Sequence, residues 1–376
     1  MYNVSKSWDN ANKQRLSPEG FVELSCYIPQ LNETLVYTKS DLLSFKHEQT
    51  GSLISGELPK NHIDFSLDNS DGKWDPNNPR GLEKYLSERL KITVRYGFDI
   101  NGVVEWIPGG VFYLSEWSTT SGGLDASFKA RDVLEYMIDK TYTGYADDTL
   151  YELAEDAIAK ADLPSDARVE ISDVLKNYPA YAPLEDDNTV VMTPIKDKSV
   201  AEILQMCANA ARCVLYQDRQ GVLRIERLNH VDTGFTVSLG FSYTYPKVQL
   251  SRPLKDVEVN YGEDSKVTYQ CSSDGETQTV NNSFVQTEDQ AFYIGEWVGR
   301  SLQGRLKVEG DFRGDPRFDL FDVVSVENKY GTIAGVVLTD ITYVFTGVFY
   351  AEYSGQVLGA ASSAIYCGEI FTGEVS

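Results

Sequence analysis

The sequence predicts a mainly β protein in which an α+β insert separates two β-barrel domains. Three observations support this class. Runs such as KITVRYGF, residues 91–98, alternate apolar and polar side chains with a period of two, as half-buried strands do. Gly- and Pro-rich turn signals separate these runs. Clear helical periodicity is concentrated in the middle of the chain, over residues 149–161 and 199–211.

Changes in composition and in hydrophobic periodicity divide the chain into five predicted regions. They are a polar N-terminal arm, helical or loose, over 1–19, a first β-barrel domain over 20–138, an α+β insert domain over 139–228, a second β-barrel domain over 229–360 and a C-terminal tail over 361–376. The two β regions each have a size common for one domain. No strong sequence repeat relates them, so a duplication would be visible only in the structure.

The first β region contains eight predicted strands and a short helix. NG at 101–102, PGG at 108–110 and SGG at 121–123 are turn signals. RDVLEYMID at 131–139 is typical of a short helix. The predicted strands are 21–28, 33–38, 42–46, 61–67, 90–98, 103–108, 111–117 and 124–130.

Two capping boxes predict the helices of the insert. Thr149 with Glu152 opens the first helix, and Ser199 with Glu202 opens the second. The second helix leads into two short strands around a DRQG turn. Residues 176–198, which hold three prolines and an acidic run, are predicted to form an extended surface loop.

In the last β region, Thr287 and Gln290 predict a helix start before QAFYIGEWVGRSLQGR. The segment GDFRGDPRFDLFDVVSV predicts a tight turn into a barrel strand with Phe318 and Phe321 in the core, and a loop at a subunit interface is the alternative. Further strands are predicted over 305–312, 322–327, 332–345 and 348–357.

Composition excludes several classes of function. A net charge of −22 repels duplex DNA, although an acidic channel would let DNA slide past. Five cysteines without CxxC spacing predict free thiols in a reducing compartment, and three dispersed histidines disfavour a metal site. The N-terminus has no apolar signal region. The sequence contains no run of 18 apolar residues, so no membrane anchor is predicted.

The acidic stretch 64–75 is the clearest candidate for an ion site. Placing Gly72 at the sixth position of an EF-hand loop puts Leu67 at the first, where a carboxylate is required. Turn formation is therefore favoured, and a Ca²⁺ site of another geometry is the alternative. The acidic residues are Asp64, Asp68, Asp71 and Asp75.

No catalytic pattern stands out. The sequence lacks GxSxG and GxxxxGK[ST], and nothing singles out one carboxylate pair among 56 acidic residues. We therefore expect no enzyme, no cofactor and no catalytic, cofactor-binding or metal residues. A glycan-binding module and a wall hydrolase remain alternatives, because aromatic side chains are abundant.

Several segments together resemble tailed-bacteriophage tail hub or baseplate hub proteins, the N-terminal hub region of tail-associated proteins. LDNSDGKWDPNNPRGLEKYLSERLKITVRYGF and EWIPGGVFYLSEWSTTSGGLDASFKARDVLEYM resemble the first barrel. TLYELAEDAIAKADLP and SVAEILQMCANAARCVLYQDRQGVLRIERL resemble the two middle elements. GDPRFDLFDVVSVENKYGTIAGVVLTDITYVFTGVFYAEYSGQ resembles the second barrel. The likeness covers about residues 20–358.

This resemblance implies a structural virion protein. Hubs of this type form trimers whose six barrels face a six-fold tube ring. The implied partners are the homotrimer itself, tail tube or distal-tail ring proteins, and receptor-binding or spike proteins; DNA passes near without being bound, and no membrane anchor is needed. Synthesis in the bacterial host cytoplasm would precede location at the tail tip. Relatives often continue into an enzymatic region, whereas this sequence stops at Ser376. A hexameric distal-tail ring protein is the alternative.

Overall fold

The computed structural model describes residues 1–13, 18–120, 122–145, 149–180, 194–262 and 265–358. Strands dominate these residues, and two of the four α-helices found in them lie in the predicted insert. The predicted class, mainly β with an α+β insert, is confirmed. The predicted tail over 361–376 lies outside the described residues.

The first β region forms seven antiparallel strands that pair in the order β3-β4-β7-β6-β5-β1-β2. Two 3-10 helices accompany them, Glu83–Tyr85 and Val133–Tyr136, and the second occupies the segment predicted as a short helix. The strands are β1 Gly20–Ile28, β2 Glu33–Tyr37, β3 Leu42–Thr50, β4 Lys60–Asp68, β5 Lys91–Ile100, β6 Val103–Thr119 and β7 Asp125–Arg131.

The PGG segment at 108–110 is a β-bulge, so the predicted turn there is wrong. Strand β6 runs through it, and the register against β5 shifts by one residue. A Cβ added to Gly109 would lie 2.8 Å from Cε2 of Tyr96. Gly110 has φ of 131°, which side-chain-bearing residues rarely adopt. These glycines accommodate the extra residue, and the two strands predicted over 103–108 and 111–117 are one.

The insert contains helices α2, Leu150–Ala159, and α3, Val200–Ala210. Both predicted capping boxes are present, with reciprocal side-chain and backbone hydrogen bonds at each helix start. Residues 181–193 of the predicted surface loop lie outside the described residues. The remaining elements are a 3-10 helix at Asp173–Asn177 and strands β8 Gly144–Tyr145, β9 Arg168–Ile171, β10 Pro194–Ile195, β11 Val214–Gln217 and β12 Val222–Glu226.

The last β region contains the predicted strands and helix. Thr287 accepts a hydrogen bond from the Gln290 backbone and caps α4, Glu288–Leu302, which packs on the three-stranded sheet β16-β15-β17. The strands are β13 Asp232–Val237, β14 Lys247–Leu250, β15 Leu254–Tyr261, β16 Ser265–Gln270, β17 Glu276–Asn281, β18 Leu306–Phe312, β19 Val323–Asn328, β20 Gly331–Phe345 and β21 Phe349–Val357.

One 13-stranded sheet joins the first and last β regions. Residues 45–50 of β3 pair in antiparallel register with residues 340–345 of β20. The N-terminal half of β20 pairs instead with β19, so this long strand belongs to both halves of the sheet. The two regions are therefore hydrogen-bonded to each other, and their division into two closed barrels stays a prediction.

The N-terminal arm is docked on the β regions and contributes to the core. Ser5 caps α1, Lys6–Asn12, by accepting a hydrogen bond from the Trp8 backbone. The Trp8 ring is fully buried, and its centroid lies 4.8 Å from that of Phe98. For these residues the structure supports the helical alternative and shows that the loose one is wrong.

We expect Trp8→Ala to lower the free energy of unfolding by about 3 to 5 kcal/mol, because the substitution leaves a large cavity in the core. Urea denaturation of the two proteins measures this difference. Tyr27→Ala is the matched control, since it removes an aromatic ring that is 46% exposed and should change stability little. Equal losses for the two variants would contradict the docking of the arm.

Candidate functional site

A buried loop over residues 313–322, here called the junction loop, brings the separate regions of the chain together. It corresponds to the predicted turn, and Phe318 and Phe321 lie in the core as predicted. Phe321 adopts φ of 66°, an uncommon value for a residue with a side chain, so the surrounding contacts must hold it there. The partners of this loop come from the arm, the first β region and the insert.

Arg219 links the insert to the junction loop. It occupies the β11–β12 turn and is 8% exposed. Its Nε donates to Oδ2 of Asp319 at 3.1 Å, its Nη1 donates to the Pro316 carbonyl at 2.7 Å, and its Nη2 donates to the Phe318 carbonyl. The guanidinium therefore neutralises one carboxylate and satisfies two backbone acceptors in a site closed to water.

Arg317 links the arm to the same loop. It is 2% exposed and forms an ion pair with Asp9 of α1. Its Nε also lies 2.7 Å from Oδ2 of Asp315, at ion-pair distance but not aligned as a hydrogen bond. The Trp8 indole donates to Oδ1 of Asp315 at 3.3 Å. Burial raises the pKa of Asp315, which Arg317 opposes.

His47 connects three strands of the first β region beside the junction. Nδ1 lies 2.6 Å from Oη of Tyr96, and Nε2 lies 2.8 Å from Oδ1 of Asn61. Burial lowers the pKa of His47 to about 4, although Asn61 and the Asp319 carboxylate oppose the shift. The ring is therefore neutral at pH 7. Gln49, also on β3, donates to Asp319 at 3.2 Å and completes the connection.

The acidic stretch 64–75 forms turns, as favoured by its sequence. Asp68, Asp71 and Asp75 accept hydrogen bonds from backbone N–H groups two residues further on. Gly72 has φ of 68°. In the part of the chain that the structure describes, these three carboxylates do not form a group with shared ligand geometry.

Asp64 belongs instead to a surface group that its sequence spacing does not reveal. Glu48 and His62 face each other across β3 and β4, and Asp64 follows His62 on the same face. Their ligand atoms lie within 4.8 Å of one another. His62 Nε2 is 2.8 Å from Glu48 Oε2, closer than the roughly 3.4 Å between two ligands of one tetrahedral zinc, and Lys46 also pairs with Glu48. This geometry is that of an ion-pair network.

The cysteines have the character of structural thiols. Cys26, Cys207, Cys213 and Cys271 are free, and Cys367 lies outside the described residues. Burial raises the pKa of Cys26 and of Cys213 to about 12, so both are protonated at neutral pH and unsuited to act as nucleophiles.

Among the described helices, none is long and apolar enough to cross a bilayer.

Three strands of the 13-stranded sheet, β2, β13 and β14, each pair with a single neighbour within the described residues and so leave an open edge. All four residues of β14 are exposed, including Val248 at 39% and Leu250 at 64%. An open edge carries backbone donors and acceptors that a strand from another chain can pair with. These edges are candidate contacts for assembly.

No family model matches the sequence, and no curated protein matches it in sequence. Solved structures match the fold along nearly the whole chain. The 43 kDa tail protein of prophage MuSo2 from Shewanella oneidensis matches with a TM-score of 0.55 at 15% identity, over 91% of this chain and 98% of that one. A tail protein from Neisseria meningitidis matches with a TM-score of 0.57 at 12% identity, over 90% and 96%.

A prophage tail protein from Listeria monocytogenes matches with a TM-score of 0.52 at 12% identity, over 92% of this chain and 96% of that one. At these identities the likeness establishes the fold. The chain has the fold of phage and prophage tail proteins, and the sequence resemblance to them is confirmed at the level of the fold; the two closed barrels that it implies stay a prediction.

We expect Arg219→Met to lower the free energy of unfolding by about 3 to 5 kcal/mol, because Asp319 and two carbonyls would remain buried without their partner. Arg252→Met is the control: Arg252 is highly exposed in its ion pair with Glu276, and its loss should change stability little. Chemical denaturation measures both. Similar small effects would show that the junction is not a source of stability.

His47 gives the junction a defined pH dependence. Its pKa is lower in the folded state than in the unfolded chain, so the unfolded chain takes up a proton first as the pH falls. Stability is therefore lost between pH 6.5 and about 4, by about 3 kcal/mol in total. We expect the difference in unfolding free energy between the native protein and His47→Gln to shrink as the pH falls through this window. A difference that stays constant with pH would contradict this assignment.

Proposed function

We propose that the chain is a structural protein of a phage tail, a trimeric hub or adaptor that closes the tail tube. The observation that supports this proposal is the end-to-end likeness to prophage tail proteins, which extends over at least 90% of both chains in each comparison. The likeness therefore extends through both β regions and the insert and is not confined to one of them.

The joined sheet supports the proposed trimer. Each chain carries two β halves held together by the β3–β20 pairing. Three copies would present six such halves, which is the number needed to face a six-fold ring. The open edges β2 and β14 lie at opposite ends of the main strand order, so copies would pair head to tail, and the proposed trimer requires a rotation of one third of a turn at each contact to close the ring.

The proposed partners are tail tube or distal-tail ring proteins on one side and receptor-binding or spike proteins on the other. A net charge of −22 suits a protein that DNA passes during ejection without being held. This part of the proposal requires acidic side chains around the central opening of the trimer. A basic or apolar lining would count against it. The proposal assigns the protein to the virion and gives it no enzymatic step.

Native mass spectrometry of the purified protein tests the oligomeric state. We expect a particle of three times 42.1 kDa. The double substitution Val248→Lys and Leu250→Lys should dissociate it, because charges on the β14 edge oppose strand pairing. Val103→Lys is the control, since Val103 is equally exposed at 67% but lies at a hairpin tip. A particle of six copies would favour the distal-tail ring, and a monomer would overturn the trimer.

A further inference from the structure

A pocket of about 340 Å³ lies between the insert and helix α4. Its lining residues are separate from the junction loop and from the partners of that loop named above. Its volume lies in the range of pockets that bind small ligands or single anchoring side chains. Arg212 and Arg227 line the side formed by the insert, and Tyr293, Trp297 and Arg300 line the side formed by α4. The pocket therefore combines positive charge with aromatic surface.

The positive charge in this pocket is poorly compensated. Arg300 pairs with Glu296 at 2.6 Å, but Arg212 and Arg227 form no ion pair within the described residues. Both donate instead to Oη of Tyr178, at 2.6 Å and 3.4 Å. In a chain of net charge −22, two guanidinium groups without a carboxylate partner mark a local site for an anion.

Arg212 is held in an unfavourable conformation, and one of its N–H groups lacks an acceptor. It follows α3 with φ of 58°, where glycine or asparagine is usual. Its Nε is buried without a hydrogen-bond partner in the described part of the structure. Its guanidinium lies 5.2 Å from the ring centroid of Tyr293. A buried N–H group without an acceptor costs free energy. Because this Nε is closed to solvent, a carboxylate in the pocket would be bound through the Nη groups of Arg212 and Arg227.

We propose that this pocket binds an acidic peptide segment of a partner protein. Its carboxylates would accept hydrogen bonds from Arg212 and Arg227, and an apolar or aromatic side chain would pack against Tyr293 and Trp297. Two guanidinium groups provide forked recognition of carboxylates, and the aromatic rings provide a surface for one anchor residue. This proposal is independent of the oligomeric state and of the hub function.

Fluorescence polarisation with the full chain and a fluorescein-labelled peptide, SEEFEEFS, tests the site. We expect saturable binding that weakens about tenfold in Arg227→Gln, since one charged hydrogen-bonding group is lost. Binding should also weaken in 0.5 M salt and be lost with SQQFQQFS, whose glutamates are replaced. Arg252→Gln is the matched control, because it removes an equal charge outside the pocket and should leave affinity unchanged.

Arg212→Lys provides a second variant that retains the charge. We expect it to bind several-fold more weakly than the native chain, because lysine lacks the forked geometry. Absent binding, or equal affinity for the glutamate and glutamine peptides, would overturn the proposal. So would equal affinity of the native chain and Arg227→Gln. Arginine-dependent binding that appears only after removal of residues 359–376, or after neutralisation of Glu185, Asp186 and Asp187, would assign the pocket to the chain's own acidic segments.

Discussion

The contact between Arg219 and the junction loop is the constraint on which the arrangement of the chain depends. A buried guanidinium is unfavourable unless its donors find acceptors, and here Asp319 and two loop carbonyls provide them. Arg317 imposes the same requirement on the N-terminal arm. Apolar packing tolerates small shifts between regions, whereas these charge contacts require defined distances. The junction therefore selects one placement of the arm, the insert and the two β regions.

That placement gives a functional meaning to the joined sheet. The first half of β20 pairs with β19, and its second half pairs with β3 along the same side of β20. A single long strand therefore sets the spacing between the two β halves. The insert contacts the junction loop through Arg219 in the β11–β12 turn. A chain built in this way offers two β units at a fixed separation. In the proposed trimer, three such chains would present six β units to a sixfold ring.

Local signals in the sequence were sufficient for most of the elements. Both insert capping boxes, the Thr287 cap and the strands after residue 305 depend on neighbouring residues, and the structure contains them. The bulge at Gly109 escaped prediction because PGG is equally typical of a turn. Its correct interpretation requires the packing of Gly109 against Tyr96 on the adjacent strand.

The junction could not be predicted, because its contacts join distant positions. Asp9 and Arg317 are 308 residues apart, and Arg219 and Asp319 are 100 apart. The sequence marked the loop through its glycines and phenylalanines but gave no sign of its charged partners. The surface group around His62 was missed for the same reason, since its members meet only through the register of β3 and β4. Strand register and loop docking are decided by tertiary packing.

Projection images of the purified particle, viewed along its symmetry axis, show whether each chain supplies two equivalent β units. We expect threefold symmetry with six similar lobes around a central opening, two lobes from each chain. Sixfold symmetry, or three lobes in place of six, would contradict it, because either result would mean that one chain does not supply two equivalent units.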